Sequence, residues 1–265
     1  MPDMRRRDPD RTFQYDDDKR DGDLIHRHIT RKAELSSVAA QHHLIGGFNR
    51  RLLMLATSRR VIEEITHSPT DKPIGVYRAI DLAIQLNAYY LHLCGALDNL
   101  AWAMQYEWNL IPGVTEIGKG RQKIGLFARS FTDALVKSQP SLWSALETHR
   151  DWYTDLRDLR DPGAHRVPLY AIPGIMNEAD AEEHQRLSSL ATDRGKAGDH
   201  HGMMELIHQA SNLGGYAPYM SIWTPDGERL VDAWAYVLRD HRTFQQVADL
   251  LSTMLLPVTR QADDR

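Results

Sequence analysis

Cysteine is nearly absent: Cys94 is the single one in 265 residues. A lone thiol excludes an internal disulfide framework and fits a reducing compartment, so a cytoplasmic location is expected. Long apolar runs are missing as well. None approaches the ~20 residues of a membrane span, and the charged first residues are not followed by the apolar stretch of a signal peptide. Nor is there an excess of one charge. Lys plus Arg number 32 against 36 Asp plus Glu, a formal net charge of −4. That balance argues against broad electrostatic attraction to nucleic acid and leaves room for a local basic site.

Several chemistries lack their signatures. Gly46-Gly47 and Gly214-Gly215 do not join a strand to a helix, so no phosphate loop is expected. No nucleophile-elbow pattern supports a Ser/His/Asp hydrolase. His201, Glu205 and His208 fall on one helical face, but no second cluster of ligands accompanies them, and neither a metal nor a cofactor is expected. Cys94, mid-helix among apolar residues, reads as an inert core thiol. The histidines of His26/His28 and His42-His43 read as exposed. The six tryptophans read as packing residues, with Trp152 near the motif described below.

What the chain does have is apolar content, 42% against 26% charged, arranged at helical spacing. Residues 1–22 are dominated by Asp, Arg, Pro and Lys and are expected to form a disordered arm. From 23 to 265 a single, mostly α-helical domain is expected, a bundle with a small β element in its C-terminal third. Its core helices run over about 24–160, interrupted at Gly46-Gly47 and at the Ser68–Pro73 loop. The strongest helix spans 74–109. One stripe there is Leu82, Leu86, Tyr89, Leu93, Leu97, Leu100 and Met104. A second is Ile80, Ile84, Ala88, Leu91, Gly95 and Trp102. Two apolar sides ask for burial on both, one in the bundle and one against a second copy. A β insertion is expected over about 166–232, with strands near 167–172, 220–224 and 229–231. Helices are expected at Glu178–Leu190 and Met203–Ala210, a mobile segment at Thr192–His201, and a C-terminal helix at about 240–256.

Chemistry concentrates in Leu159-Arg160-Asp161-Pro162-Gly163-Ala164-His165-Arg166. A helix over 142–159 leads into it. Pro162 disfavours helical backbone at Asp161, and Asp-Pro-Gly-Ala fits a type II turn, which brings its ends within ~7 Å. Arg160 and His165 are then neighbours at a helix terminus. Arg160 offers a permanent, fork-shaped charge matched to phosphate oxygens. His165 titrates near neutral pH. RNA brings its own 2′-hydroxyl nucleophile, so cleavage asks for a base, an acid and positive charge on the phosphorane. One Arg and one His fall one group short of this, and two copies across a two-fold axis complete the set. Arg157 and Arg166 can add substrate contacts. Asp98 interrupts the apolar surface of the long helix and should find a cation, with Arg160 or His165 as candidates, or else sit at an exposed edge.

An Arg-polar-x-x-x-His motif at a helix end, in an all-helical chain, resembles the HEPN superfamily (higher eukaryotes and prokaryotes nucleotide-binding domains). The resemblance covers roughly residues 72–172, with Arg160, Asp161 and His165 at the motif's arginine, polar and histidine positions. It implies a homodimeric helical bundle acting as a metal-independent endoribonuclease, of the kind found in toxin–antitoxin and phage-defence systems. RNA would be its substrate and a cognate antitoxin its protein partner. Many such toxins carry a tyrosine two residues after the histidine; here Val167 takes that place. Two other readings stand beside this one. The first is a catalytically silent HEPN-like module that binds RNA, a nucleotide or a protein. The second is a helical scaffold in which Arg160 caps a helix C-terminus, Asp161 pairs with Arg157 or Arg166, and His165 is a surface histidine.

Overall fold

The computed structural model describes the backbone of residues 9–68, 70–165, 167–224 and 227–256, and the side chains of these except 9–15, 162–165 and 224. The chain is mostly α-helical with a small three-stranded antiparallel sheet. In order come α1 (Pro9–Arg31), α2 (Val38–Gln41), α3 (Arg50–Thr66), α4 (Val76–Trp108), α5 (Arg129–Ser138), α6 (Pro140–Glu147), α7 (Arg150–His165), β1 (Tyr170–Ala171), α8 (Glu178–Lys196), α9 (His200–Ser211), β2 (Tyr219–Thr224), β3 (Gly227–Asp232) and α10 (Ala233–Leu255). A π-helical segment, His42–Asn49, joins α2 to α3 without a break, so the interruption expected at Gly46-Gly47 is absent.

The described residues gather into two compact units. One draws on Met1–Thr57, Tyr89–Arg160 and Leu238–Arg265, the other on Ser58–Ala88 and Asp161–Val237. In the first, Leu44, Phe48, Leu52, Tyr89, Leu93, Leu97, Phe131, Leu146, Phe244 and Leu251 are buried. They lie on the apolar faces of α3, α4, α5, α6 and α10 and of the π segment, which is why the 3.6-residue period marks these helices in the sequence. The polar ends are tied by side chains. Glu107, at the end of α4, accepts hydrogen bonds from Ser36 N, Ser36 Oγ and Ser37 N at 2.9–3.0 Å. Gln105 holds the following loop through Ile111 N and Ile111 O at 2.9 Å each.

In the second unit Ile62, Ile65, Leu82, Leu86, Ala171, Met220, Ile222 and Val231 are buried. β2 pairs antiparallel with both neighbours, Ala171 opposite Met220 and Met220 opposite Val231, so one row across the sheet faces the apolar side. Asn87 acts as a backbone mimic, accepting from Leu169 N at 3.1 Å and donating to Leu169 O at 2.9 Å. Asp232 caps α10 by accepting from Ala235 N at 2.8 Å.

Four further expectations are corrected. Residues 9–22, assigned to a disordered arm, lie within α1; residues 1–8 fall outside the described ones. Asp17 and Asp21, one helical turn apart, are buried against α10 rather than solvated. Gln245 Nε2 donates to Asp17 O and Asp21 Oδ1 at 2.8 Å each, and His241 Nε2 lies 3.1 Å from Asp21 Oδ2. The segment 192–201 is not a loop, because α8 runs on to Lys196 and Asp199 caps α9 by accepting from Gly202 N. His28 and His43, expected at the surface, are 0% and 6% exposed. Finally, the helix expected over 142–159 is two helices, α6 and α7, and the second does not stop at Arg160.

Candidate functional site

α7 continues through Pro162 and Gly163 to His165, so the type II turn expected at Asp161–Ala164 is absent. A proline near a helix end forfeits one hydrogen bond and already has a helical φ. The turns before it are anchored by Leu156 and Leu159, 1% and 3% exposed. Side-chain burial outweighs the local stop signal. The consequence is geometric. Arg160 and His165 are not brought together by a bend; their backbone positions are separated by about 7.5 Å of rise and about 140° of rotation on a continuous helix. Within that arc fall Arg157 and Asp161. The side chain of His165 and all of Arg166 lie outside the described residues.

The best-defined part of the motif's surroundings belongs to the first unit. Tyr153, Arg157 and Arg160 recur at four and three residues and share one stripe of α7. Cys94 and Asp98, one turn apart on α4, meet that stripe. Burial raises the Tyr153 phenol, the charge of Asp98 and the thiol of Cys94 add to the effect, and Arg157 and Arg160 oppose it. A carboxylate and two guanidinium groups therefore act on one hydroxyl. Asp98 and Arg160 are both half-buried and Arg157 is exposed. The stripe gathers Asp98, Arg157 and Arg160 of the predicted site around Tyr153, a residue the sequence did not single out.

A second polar cluster in the same unit escaped the sequence reading. Along α4, His92, Gly95, Asn99, Trp102 and Tyr106 recur at alternating steps of three and four. Opposite them stand His43 and Gly47 of the π segment and Arg51 of α3. Arg51 Nε donates to Asn99 Oδ1 at 3.1 Å, and Arg51 Nη1 donates to His92 Nδ1 at 3.2 Å. Asn99 Nδ2 donates to His43 Nδ1 at 3.3 Å. His43 Nε2 lies 3.1 Å from Glu116 Oε2, a contact that becomes an ion pair when the ring is protonated. The His43 ring stacks on Trp102 and Tyr106, with centroids 5.9 and 5.5 Å away. Burial lowers the His43 pKa, Glu116 raises it, His42 lowers it, and the net direction is down. His92 is lowered by burial and by Arg51.

The glycines explain how this seam closes. A Cβ on Gly47 would stand 2.5 Å from the Asn99 amide, and one on Gly95 would overlap the Arg51 guanidinium. The sequence signal was the polar stripe within an apolar helix, together with glycines spaced to face it.

Among the described residues no group of three His, Cys, Asp or Glu side chains is placed to hold a metal. His201 and Glu205 approach to 3.6 Å on an exposed face, and His208 is bonded to Asn212 instead. No described helix is long and apolar enough to cross a membrane. Comparison with family models, curated proteins and solved structures finds no match to this chain.

Proposed function

We propose that this chain is a metal-independent endoribonuclease of the HEPN type, working in the cytoplasm as a homodimer in toxin–antitoxin or phage defence. Arg160 holds the scissile phosphate and stabilises the charge it gains. His165 transfers the proton, Asp161 orients the pair, and Arg157, Arg166 and Asp98 support the substrate. The observation that carries the reading is the stripe of Tyr153, Arg157 and Arg160 facing Asp98. It gathers two cationic groups on the helix that carries the motif, in a protein of net negative charge. Two guanidinium groups on one helical stripe suit a phosphate, which accepts their N–H groups in pairs.

The count of acid–base groups calls for two copies. One α7 presents one imidazole, whereas cleavage uses a base and an acid. A two-fold partner supplies the second. The outer stripe of α4 suits such pairing, since Ile80, Ile84 and Leu91 are 43%, 57% and 45% exposed.

The test is cleavage of labelled RNA with chelator present, comparing wild type, Arg160→Ala and His165→Ala. Chelator-resistant cutting that falls by about 100-fold or more in each folded variant is expected. Cutting that survives His165→Ala rejects the assignment. RNA binding without cutting selects the silent-module reading instead.

A further inference from the structure

Arg51 is a half-buried cation that no carboxylate pairs with among the described residues. Arg27, Arg31, Arg150, Arg186 and Arg239 each hold an Asp or Glu at 2.6–2.8 Å. Arg51, by contrast, contacts Asn99 Oδ1 and His92 Nδ1, both neutral acceptors. A guanidinium has five N–H groups. One on Nε and one on Nη1 are used among the described residues, which leaves three, one on Nη1 and two on Nη2. Donors on both terminal nitrogens let a guanidinium grip two oxygens of one anion.

The surroundings hold the fork in place. Asn99 fixes Nε, His92 fixes Nη1, and Gly95 leaves the space through which the guanidinium crosses α4. The side chain is thus pre-organised while its charge is uncompensated. A half-buried charge is costly unless paired, and no Asp or Glu is paired with it among the described residues.

We propose that Arg51, seated between Asn99 and His92, is a binding site for a phosphoryl oxyanion, as free phosphate or as the terminal phosphate of a nucleotide. The anion takes two oxygens to the remaining Nη1 and Nη2 donors, beside the His92 ring. The site is built from α3 and α4 alone and does not depend on Arg160 or His165, so it stands or falls apart from the nuclease reading.

The arrangement has a titration signature. Burial lowers the His92 pKa, and Arg51, the one charged group acting on it among the described residues, lowers it further. An anion on Arg51 offsets that charge and favours the imidazolium. An opposite charge at 4–6 Å moves a pKa by about one unit or more, so the His92 titration midpoint should rise by about one unit when the site fills.

The experiment follows the His92 ring by NMR across a pH series, in full-length wild type, Arg51→Gln and Arg51→Lys. Inorganic phosphate, AMP and adenosine are added in turn, with chloride keeping the ionic strength constant. In wild type, phosphate or AMP should raise the midpoint saturably, and adenosine should not. A response to both marks the shared phosphoryl group as the ligand; a response to one alone names the source. In Arg51→Gln, whose amide can still donate to Asn99, the midpoint should be higher at the outset and indifferent to phosphate. Arg51→Lys keeps the charge without the fork and should bind at least about tenfold more weakly. A wild-type His92 that ignores both phosphate and AMP overturns the proposal, and so does an equal response in Arg51→Gln. The His92→Gln variant guards against misfolding at position 51: phosphate should still raise its thermal midpoint, and no rise there also overturns the site.

Discussion

Asn99 Oδ1 accepts from Arg51 Nε at 3.1 Å, and this contact decides which ring nitrogen of His43 carries the proton. Arginine can only donate, so the oxygen of the Asn99 amide must face it. The amide nitrogen then faces His43 Nδ1 at 3.3 Å, and that ring nitrogen must accept. In neutral His43 the proton sits on Nε2, opposite the Glu116 carboxylate 3.1 Å away. A carboxylate at position 99 would reverse this order by accepting from both neighbours. Asn99→Asp should shift the proton to Nδ1 and raise the His43 pKa above its wild-type value, which burial keeps low. Nitrogen-detected NMR of the imidazole reads both quantities. An unchanged tautomer in the variant would show that Arg51 does not set the chain of donors.

The two glycines of the seam should respond differently to alanine. Gly95 faces the far end of a flexible side chain, so Gly95→Ala can be relieved by swinging the Arg51 guanidinium away. Alanine also gains about 0.5–1 kcal/mol in a helix. Stability should therefore change little, while His92 loses its Arg51 contact and its pKa rises. Gly47 faces the short, doubly bonded Asn99 amide at 2.5 Å. Gly47→Ala should cost about 1–3 kcal/mol, the usual range for overpacking. Urea unfolding separates the two, and equal losses would contradict the geometry.

Much of the helical frame was legible because burial repeats at the period of the backbone. α4 was expected over 74–109 and spans Val76–Trp108, and its first stripe, from Leu82 to Met104, is buried throughout. What failed were local signals overruled by packing. Pro162-Gly163 reads as a stop, yet Leu156 and Leu159 hold α7 in register and the helix runs on to His165. Asp17 and Asp21 read as part of a solvated tail, yet a glutamine and a histidine from residues 220 or more away receive them. The same distance hid the His43 seam. The polar stripe of α4 is periodic, but Arg51, His43 and Glu116 lie far from Asn99 in sequence, and which of them meets it is not written in any local spacing. For the motif, the residue types were readable, but the bend expected to unite them was not the structure the chain adopts.

His28 gives the fold a defined acid sensitivity. It is fully buried between Asn49 Oδ1 at 2.7 Å from Nδ1 and Ser252 Oγ at 2.9 Å from Nε2. Burial lowers its pKa to about 4, only partly offset by the Asn49 hydrogen bond, with Arg27 lowering it further. A histidine depressed in the folded state favours folding above its unfolded pKa near 6.5. That contribution is lost as the pH falls from 6.5 towards 4, because the unfolded chain takes up the proton first. The difference amounts to about 3 kcal/mol. Urea unfolding at pH 7 and at pH 4.5 should show this loss in wild type, and His28→Gln should flatten the slope. A parallel slope in the variant would assign the acid sensitivity to other groups.

Asp240 is the buried charge whose removal should cost most. Its side chain is 0% exposed and accepts from Tyr90 Oη at 3.1 Å, Trp152 Nε1 at 3.2 Å and Arg239 Nε at 2.8 Å. Burial raises the Asp240 pKa even though the Arg239 charge and the three donors all pull it down. Its partners lose unequally when it is deleted. Arg239, 43% exposed at its side chain, can return to water, whereas the fully buried Tyr90 hydroxyl cannot. Each buried donor left without an acceptor costs about 1–3 kcal/mol. Asp240→Ala should therefore destabilise by about 3–5 kcal/mol, in the range for breaking a buried pair from one side. Tyr90→Phe removes one hydrogen bond and strands no donor, so about 1 kcal/mol is expected. Asp240→Asn keeps a carbonyl for one donor and should fall between them. Denaturant midpoints for the three variants give the order directly, and a Tyr90→Phe loss as large as that of Asp240→Ala would show that the phenol, not the carboxylate, holds the network together.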